Sequence, residues 1–262
     1  MDDFASSVRR RLKASGPGWS IVYRPIVEST NDEARKAAQE GADEGLVVLA
    51  DVQTAGRGRM GRTWHGSDGS LLMTVLFRPT FHPSKMFVLT MLSATGVREA
   101  IRNVCGLRCD LKWPNDLLLG GKKLGGILTE AGFHGERIDF AVVGIGLNVN
   151  FDVREYPDIS GTATSLSAEL GRPLERGELL GEILDQVAIR YEWAKRGDLD
   201  LIHQEWRLAL AHLGKPVSVV DRGHALEGIA EDVDPEGTLI IRRRDGVLVR
   251  VVTGDVSLSP GD

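Results

Sequence analysis

Cysteine is almost absent: Cys105 and Cys109 are the two in the chain, spaced C-x3-C, with no second pair and no nearby histidine. A disulfide framework and a zinc knuckle both lack their ligands, so these thiols are expected to be inert core residues. An excess of positive charge is absent too. Lys and Arg number 32 against 37 Asp and Glu, and the formal charge of −5 gives no general attraction to nucleic acid or anionic lipid. Any anionic ligand must therefore meet cations gathered locally. No uncharged run approaches the roughly 18 residues of a membrane span, and the opening MDDFASSVRRRLKAS lacks the apolar segment of a secretory signal, which points to the cytoplasm. The six histidines (His65, His82, His134, His203, His212, His224) are scattered with no H-E-x-x-H pairing, so no protein-bound metal is expected. Walker A, G-x-S-x-G and C-x-x-C signatures are missing as well, and a nucleotide would have to be held another way.

What is present is a chain of 262 residues with 42% hydrophobic residues, enough for one large domain or a large domain and a small one. A short amphipathic helix is expected around Val8 to Ala14, then a strand in WSIVYRPIV. A helix should open at Ser29-Thr30-Asn31-Asp32-Glu33, where Thr30 and Glu33 have capping-box spacing and Ala34, Ala37 and Ala38 suit its interior. LVVLA (46–50) and SLLMTVLF (70–77) read as buried strands, and 85–104 as a long buried helix up to Gly106. DLLLGGKKLGGILTEA reads as a hairpin turning at Gly120-Gly121, and 138–150 as a further strand after the His134-Gly135-Glu136 turn. Leu180, Ile183, Leu184, Val187 and Tyr191 mark one helix, and 199–213 another. From Lys215 the pattern changes to short β-rich runs divided by Asp234-Pro235-Glu236-Gly237 and Asp245-Gly246, as in a small β-barrel appended to an α+β domain.

Three segments carry chemistry. Gln53-Thr54-Ala55-Gly56-Arg57-Gly58-Arg59-Met60-Gly61-Arg62-Thr63-Trp64 sets three arginines and three glycines between two apolar strands. It contains G-x-G-x-x-G, yet a strand follows where a dinucleotide site needs a helix, and Arg78-Pro79-Thr80 stands where an acidic residue belongs. What remains is a flexible loop whose guanidiniums suit phosphate or carboxylate oxygens, with Trp64 beside it to wall a pocket. In Lys112-Trp113-Pro114-Asn115-Asp116 the proline fixes the chain, so that Asn115 and Asp116 can be aimed at one ligand. Lys123 follows across the hairpin, before Gly125-Gly126; taken alone it reads equally as a charge guarding a strand edge. In Gly144-Ile145-Gly146-Leu147-Asn148 glycines replace side chains within a strand, which fits a bulge, a ligand against the backbone, or close packing on a helix.

Taken in order, Ser29-Thr30-Asn31, the GRGRMGR loop with Gln53 and Trp64, KWPND (112–116), KLGGIL (123–128) and GIGLN (144–148) resemble the biotin protein ligases, across about half of the chain. The tail resembles that family's SH3-like C-terminal domain by pattern alone. The fold so implied is α+β, a mixed, largely antiparallel sheet flanked by helices of the class II aminoacyl-tRNA synthetase and biotin ligase type, spanning 1–212, with an SH3-like barrel at 213–262. The resemblance implies two steps: biotin and MgATP give biotinyl-5′-adenylate and pyrophosphate, then a lysine of a biotin carboxyl carrier protein, as in acetyl-CoA carboxylase, attacks the adenylate. By the same carry-over Ser29, Thr30, Asn31, Gln53, Gly56, Arg57, Trp64, Lys123, Gly126, Gly144 and Gly146 bind biotin. Arg59, Arg62, Lys112, Asn115, Lys123 and Asn148 face ATP, Mg²⁺ enters with the nucleotide alone, and Lys123, Arg57 and Asp116 are catalytic.

Some members of the family are also repressors with a winged helix ahead of the ligase domain. The chain before Ser29 is too short for one and the net charge is acidic, so a ligase without repressor function or nucleic-acid partner is expected. Lipoate ligases share the activation chemistry, and the GRGRMGR and KWPND segments favour biotin over lipoate. A non-catalytic binding module would not need paired cations at a reacting centre. The resemblance also allows a homodimer through the central sheet.

Overall fold

A computed structural model describes residues 17–66, 68–221 and 224–258; the helix expected around Val8 to Ala14 lies outside them. Seven strands, β1 (Ser20–Val27), β2 (Leu46–Gln53), β3 (Leu71–Phe77), β4 (Asp110–Lys112), β5 (Asp116–Leu119), β6 (Lys122–His134) and β7 (Arg137–Leu147), form one sheet in the order β1-β2-β3-β7-β6-β5-β4. Only β1 and β2 pair in parallel, because helix α1 (Thr30–Gln39) carries the chain back between them; the other ladders are antiparallel. The sheet is mixed, as expected.

Alternation along the strands sends residues to two faces. Val47, Leu49, Met73, Val75, Phe77, Val143, Ile145 and Leu147 belong to the large core, with α2 (Phe87–Cys105), α4 (Arg176–Arg196) and α5 (Leu199–Ala209). Gly96 lets the first two of these helices approach closely: a Cβ there would stand 3.0 Å from Val187 Cγ2. On the opposite face Leu46, Val48, Leu76, Phe140 and Val142 pack with Ala34 and Ala38 of α1. That helix is ten residues long, so it covers one end of the face and leaves the other open. A short α3 (Leu166–Leu170) lies in the connection after β7.

Several boundaries differ from the sequence reading, each for a tertiary reason. Thr30 and Glu33 form no capping box: Ser29 is the N-cap, without a side-chain cap bond, and the Thr30 hydroxyl is turned to Gln53. Strand β2 runs past Ala50 to Gln53 because β1 supplies partners as far as Val27. Strand β7 stops at Leu147, where the Asn148 N–H turns to the Leu124 carbonyl. Helix α5 ends at Ala209 rather than Leu213, since Leu210 bridges Leu111 and the Ala211 N–H bonds the Leu111 carbonyl at 2.9 Å. The hairpin turn at Gly120-Gly121 is as expected, both glycines having positive φ, +57° and +78°.

The C-terminal strands β8 (Pro216–Asp221), β9 (His224–Val233), β10 (Leu239–Arg242), β11 (Leu248–Val251) and β12 (Asp255–Leu258) form an antiparallel sheet in the order β11-β10-β9-β8-β12. The expected closed barrel is not formed: among the described residues no ladder joins β11 to β12, and the sheet stays open. It is joined to the larger domain by the buried Trp113 Nε1, which donates to the Gly237 carbonyl at 2.8 Å, and by ion pairs of Lys85 with Glu236 and Arg207 with Asp232. Cys109 is buried, and burial pushes its thiol up to about 12, consistent with an inert core residue; Cys105 is half-buried, and both are free.

His212, at the junction between the two sheets, is 2% exposed, and neither ring nitrogen has a hydrogen-bond partner among the described residues. Burial, with Lys112 and Lys215 nearby, lowers its pKa from 6.5 to about 4. Between these values the unfolded chain binds the proton and the folded chain does not, so stability is full above pH 6.5 and falls as the pH drops toward 4. The loss should total about 3 kcal/mol, at about 1.4 kcal/mol for each pH unit. Urea titrations of wild type and His212→Leu at pH 7 and pH 4.5 should show a smaller pH dependence in the variant; equal slopes would remove His212 as the cause.

Candidate active site

At the open end of the α1 face the sheet has almost no side chains. Gly126, Gly144 and Gly146 lie on neighbouring strands, with Gly126 paired to Gly146 and Leu128 to Gly144. Above this floor is an open cleft of about 770 Å³, including solvent at its mouth. Gly144 and Gly146 line the cleft, and each is also closely packed by a neighbouring side chain. A Cβ on Gly144 would overlap Asn31 Oδ1, and one on Gly146 would stand 2.5 Å from the Trp64 ring. Register is continuous through both, so neither marks a bulge. Gly144→Ala should cost on the order of 1–3 kcal/mol, since Asn31 is buried and cannot swing aside freely. An unchanged thermal midpoint would show that Asn31 moves.

Thr30 and Asn31, in the first turn of α1, are buried at one end of the cleft. Thr30 N–H and Oγ1 donate to Gln53 Oε1 at 2.8 and 3.0 Å. Asn31 Nδ2 donates to Glu130 Oε2 at 2.7 Å, and Thr74 Oγ1 lies 2.7 Å from Asn31 Oδ1 and 2.8 Å from Thr30 Oγ1. Ser29 lines the same end.

The arginine loop is laced to itself. Gln53 N–H bonds Gly66 O, Trp64 N–H bonds Gly56 O at 2.9 Å, and Gly58 N–H bonds Arg62 O at 2.7 Å. Gly56 is needed for this lacing, because a Cβ there would lie 2.6 Å from the Trp64 carbonyl; it does not line the cleft. Arg57 is spent on Asp32, two nitrogens each 2.6 Å from the carboxylate, and these bonds hold the Asp32 carboxyl below its usual range. Arg62 pairs with Asp255 of β12, which brings the C-terminal sheet to the cleft wall. Arg59 has no such partner among the described residues: its Nη1 is buried without one, and desolvation pulls its pKa down against the opposing pull of Asp116.

Lys123 lines the same cleft. Its backbone is held on both sides, by Leu118 of β5 and by Thr162 and Thr164 of the connection after β7. Its Nζ lies 2.7 Å from Asp116 Oδ1 and 5.7 Å from the Trp64 ring centroid. Lys112 touches the cleft only through Asp116, at 3.5 Å. Asn115 Nδ2 donates to the Ile127 carbonyl at 2.6 Å, beside the cis Trp113–Pro114 peptide. Asn148 is buried and donates to the Thr164 carbonyl at 3.0 Å, behind the cleft wall.

The structure thus gathers Ser29, Thr30, Asn31, Gln53, Arg57, Arg59, Arg62, Trp64, Asn115, Asp116, Lys123, Gly126, Gly144 and Gly146 around one cleft, and leaves Gly56, Lys112 and Asn148 off its wall. Sequence reasoning missed Asp255, the apolar Met73, Ile127, Leu128 and Ile145, and the two groups behind the wall, Thr74 and Glu130. Thr74 had a signal: it is the hydroxyl inside the otherwise apolar LLMTVLF.

Two domain families match the chain: the biotin/lipoate A/B protein ligase family over residues 23–148, and the biotin protein ligase C-terminal domain over 212–259. Fold and site therefore define a ligase of the biotin and lipoate class. The bifunctional ligase/repressor BirA of Bacillus subtilis is 34% identical over 255 residues, 97% of this chain and 78% of that protein. The biotin–[acetyl-CoA-carboxylase] ligase of Paracoccus denitrificans is 33% identical over 223 residues, 82% of this chain and 91% of that one. A biotin protein ligase from Aquifex aeolicus, solved with biotin and ATP, superposes with a TM-score of 0.78 at 26% identity, covering 92% of this chain and 99% of that chain. The chain belongs to the biotin protein ligase family and is a ligase enzyme.

Proposed function

We propose that the protein activates biotin with MgATP and transfers it to a lysine of a biotin carboxyl carrier protein of the acetyl-CoA carboxylase type. The observation that carries this reading is Arg59, half-buried, whose Nη1 is buried with no hydrogen-bond partner among the described residues, on the same glycine-floored cleft as Lys123. A buried polar group without a partner is rare, and here it marks the place of an anion. The relatives supply the ligands: one is named as a biotin–[acetyl-CoA-carboxylase] ligase, and one was solved with biotin and ATP.

A free carboxylate is a poor electrophile, so a biotin carboxylate oxygen attacks the α-phosphorus, pyrophosphate leaves, and a mixed anhydride forms. The carrier amine then attacks the acyl carbon, AMP leaves and the amine proton is lost. We assign Lys123 to the charge that develops on the α-phosphate oxygens and then on the carbonyl oxygen. Asp116 holds that amine in place, while Arg57 and Arg62 exchange Asp32 and Asp255 for ligand oxygens as the loop closes and keeps water off the anhydride. Ser29, Thr30, Asn31 and Gln53 read the polar head of biotin, with Gly126, Gly144, Gly146 and Trp64 around its ring; Arg59, Arg62 and Asn115 face the nucleotide side, while Lys112 acts on it only through Asp116 and Asn148 only from behind the wall. Both oxygens of Asp116 face lysines, and among the described residues no group of three or more His, Cys, Asp and Glu could hold a metal. We therefore take Mg²⁺ as part of the MgATP substrate, held on its phosphates.

The match over 212–259 supports reading 213–262 as an SH3-like domain beside a catalytic domain of 1–212. Among the described residues no helix is long and apolar enough to cross a membrane, and the net charge of −5 gives no general attraction to nucleic acid. The test is pyrophosphate release from ATP with biotin or lipoate, each with and without an apo carrier domain. Release with biotin and label transfer to the carrier are expected; release with lipoate alone, or with neither acid, would overturn the assignment.

A further inference from the structure

The polar end of the cleft has a fixed hydrogen-bond direction, set by Thr74 and Glu130, neither of which lines the cleft. Asn31 Nδ2 donates to Glu130 Oε2 at 2.7 Å and to the Leu128 carbonyl at 3.3 Å, so its Oδ1 must point the other way. Glu130 is itself anchored by Arg35 Nη2 at 2.7 Å, and a carboxylate in such a pair is an acceptor only. An amide oxygen only accepts, so Asn31 Oδ1 draws on the hydroxyl of the fully buried Thr74 at 2.7 Å, whose proton is shared with Thr30 Oγ1 at 2.8 Å, Thr74 being the donor to both. The Thr30 hydroxyl proton goes to Gln53 Oε1, which already receives the Thr30 N–H. Two consequences follow for the cleft. Thr30 has spent its proton inside the protein, so its oxygen can only accept from a ligand. Gln53 has filled its oxygen with two donors, so it presents its NH₂ group and can only donate.

We propose that Thr74 and Glu130 are positioning residues for substrate selection: they orient Asn31 and Thr30 so that the cleft offers an acceptor beside a donor, the complement of a cyclic urea. This rests on the biotin ligase reading. Biotin carries N–H beside C=O in its ureido ring, whereas the dithiolane of lipoate has neither, and a site built to hydrogen-bond a substrate rejects an analogue that leaves its groups unpaired. Val can replace Thr74 in shape while removing the proton, leaving Asn31 Oδ1 unsatisfied and free to draw on Thr30 instead.

The test measures steady-state pyrophosphate release by wild type, Thr74→Val, Thr74→Ser and Glu130→Gln, with biotin, with biotin methylated on a ureido nitrogen, and with ATP varied separately. Thr74→Val and Glu130→Gln should raise KM for biotin about 10- to 100-fold, with KM for ATP and kcat within about twofold of wild type. The preference for biotin over its N-methyl analogue should shrink in both, and Thr74→Ser should restore it. An unchanged biotin KM in Thr74→Val, or a rise shared equally by ATP, would overturn the proposal, the second outcome marking a structural role. Failure of the wild type itself to release pyrophosphate with biotin would sink the ligase reading instead, which separates the two.

Discussion

Lys123→Ala should abolish biotinyl-adenylate formation while the protein stays folded. The Lys123 side chain is 38% exposed, and the backbone of the residue is tied to Leu118 on one side and to Thr162 and Thr164 on the other. Stability should therefore change by less than about 1 kcal/mol. The chemistry should change far more. A preorganised donor aimed at developing charge is typically worth about 10²- to 10³-fold in rate, and Lys123 is preorganised by Asp116 at 2.7 Å. Lys123→Arg keeps the charge but spreads it over a planar fork, so it should recover only part of the rate. Burst measurements of adenylate and pyrophosphate would check this, with far-UV circular dichroism as the folding control. A folded Lys123→Ala turning over within tenfold of wild type would remove Lys123 from the first step.

The assignment of Lys123 shows what the sequence could and could not reveal. The apolar strands, the hairpin at Gly120-Gly121 and the glycines of the floor are local patterns, and all are found where alternation and turn chemistry place them. Thr30, Asn31 and Gln53 were marked by short motifs, and the structure brings them to one end of one cleft. Partners of charges were not legible. Asp32 on Arg57 and Asp255 on Arg62 join residues 25 and 193 positions apart, and an ion pair between distant segments leaves no periodic trace in either. The same limit explains the C-terminal sheet: alternation predicts each strand, but whether β11 meets β12 depends on edges that no strand encodes alone. The capping box failed because Ser29, not Thr30, is the N-cap: the Glu33 N–H bonds the Ser29 carbonyl, and the Thr30 hydroxyl, already inside the first turn, is turned to Gln53.

Arg59→Ala should weaken ATP binding strongly while leaving the free protein as stable as before, or more so. In the free protein the guanidinium is a liability: Nη1 is buried with no partner, and desolvation lowers its pKa, only partly countered by Asp116. Taking away a half-buried charge that is only partly compensated removes an unfavourable contribution. Arg57 and Arg62 differ in kind, because each has a carboxylate, Asp32 or Asp255, that must be given up when a ligand arrives. Arg59 gives up nothing, so the whole of its interaction with a phosphate appears as affinity. Hydrogen bonds to a charged group of this sort contribute about 1.5 to 3 kcal/mol each, so KM for ATP should rise at least tenfold, and the adenylate should leak from the cleft faster than in wild type. Arg57→Ala, in contrast, should lose less ATP affinity than it costs in loop order, since its pairing with Asp32 is broken in both states. Thermal melts without ligand, paired with ATP titrations and chase measurements of adenylate release, separate the two effects. A melting point that falls for Arg59→Ala, with ATP affinity intact, would place Arg59 among the structural arginines and remove it from the nucleotide site.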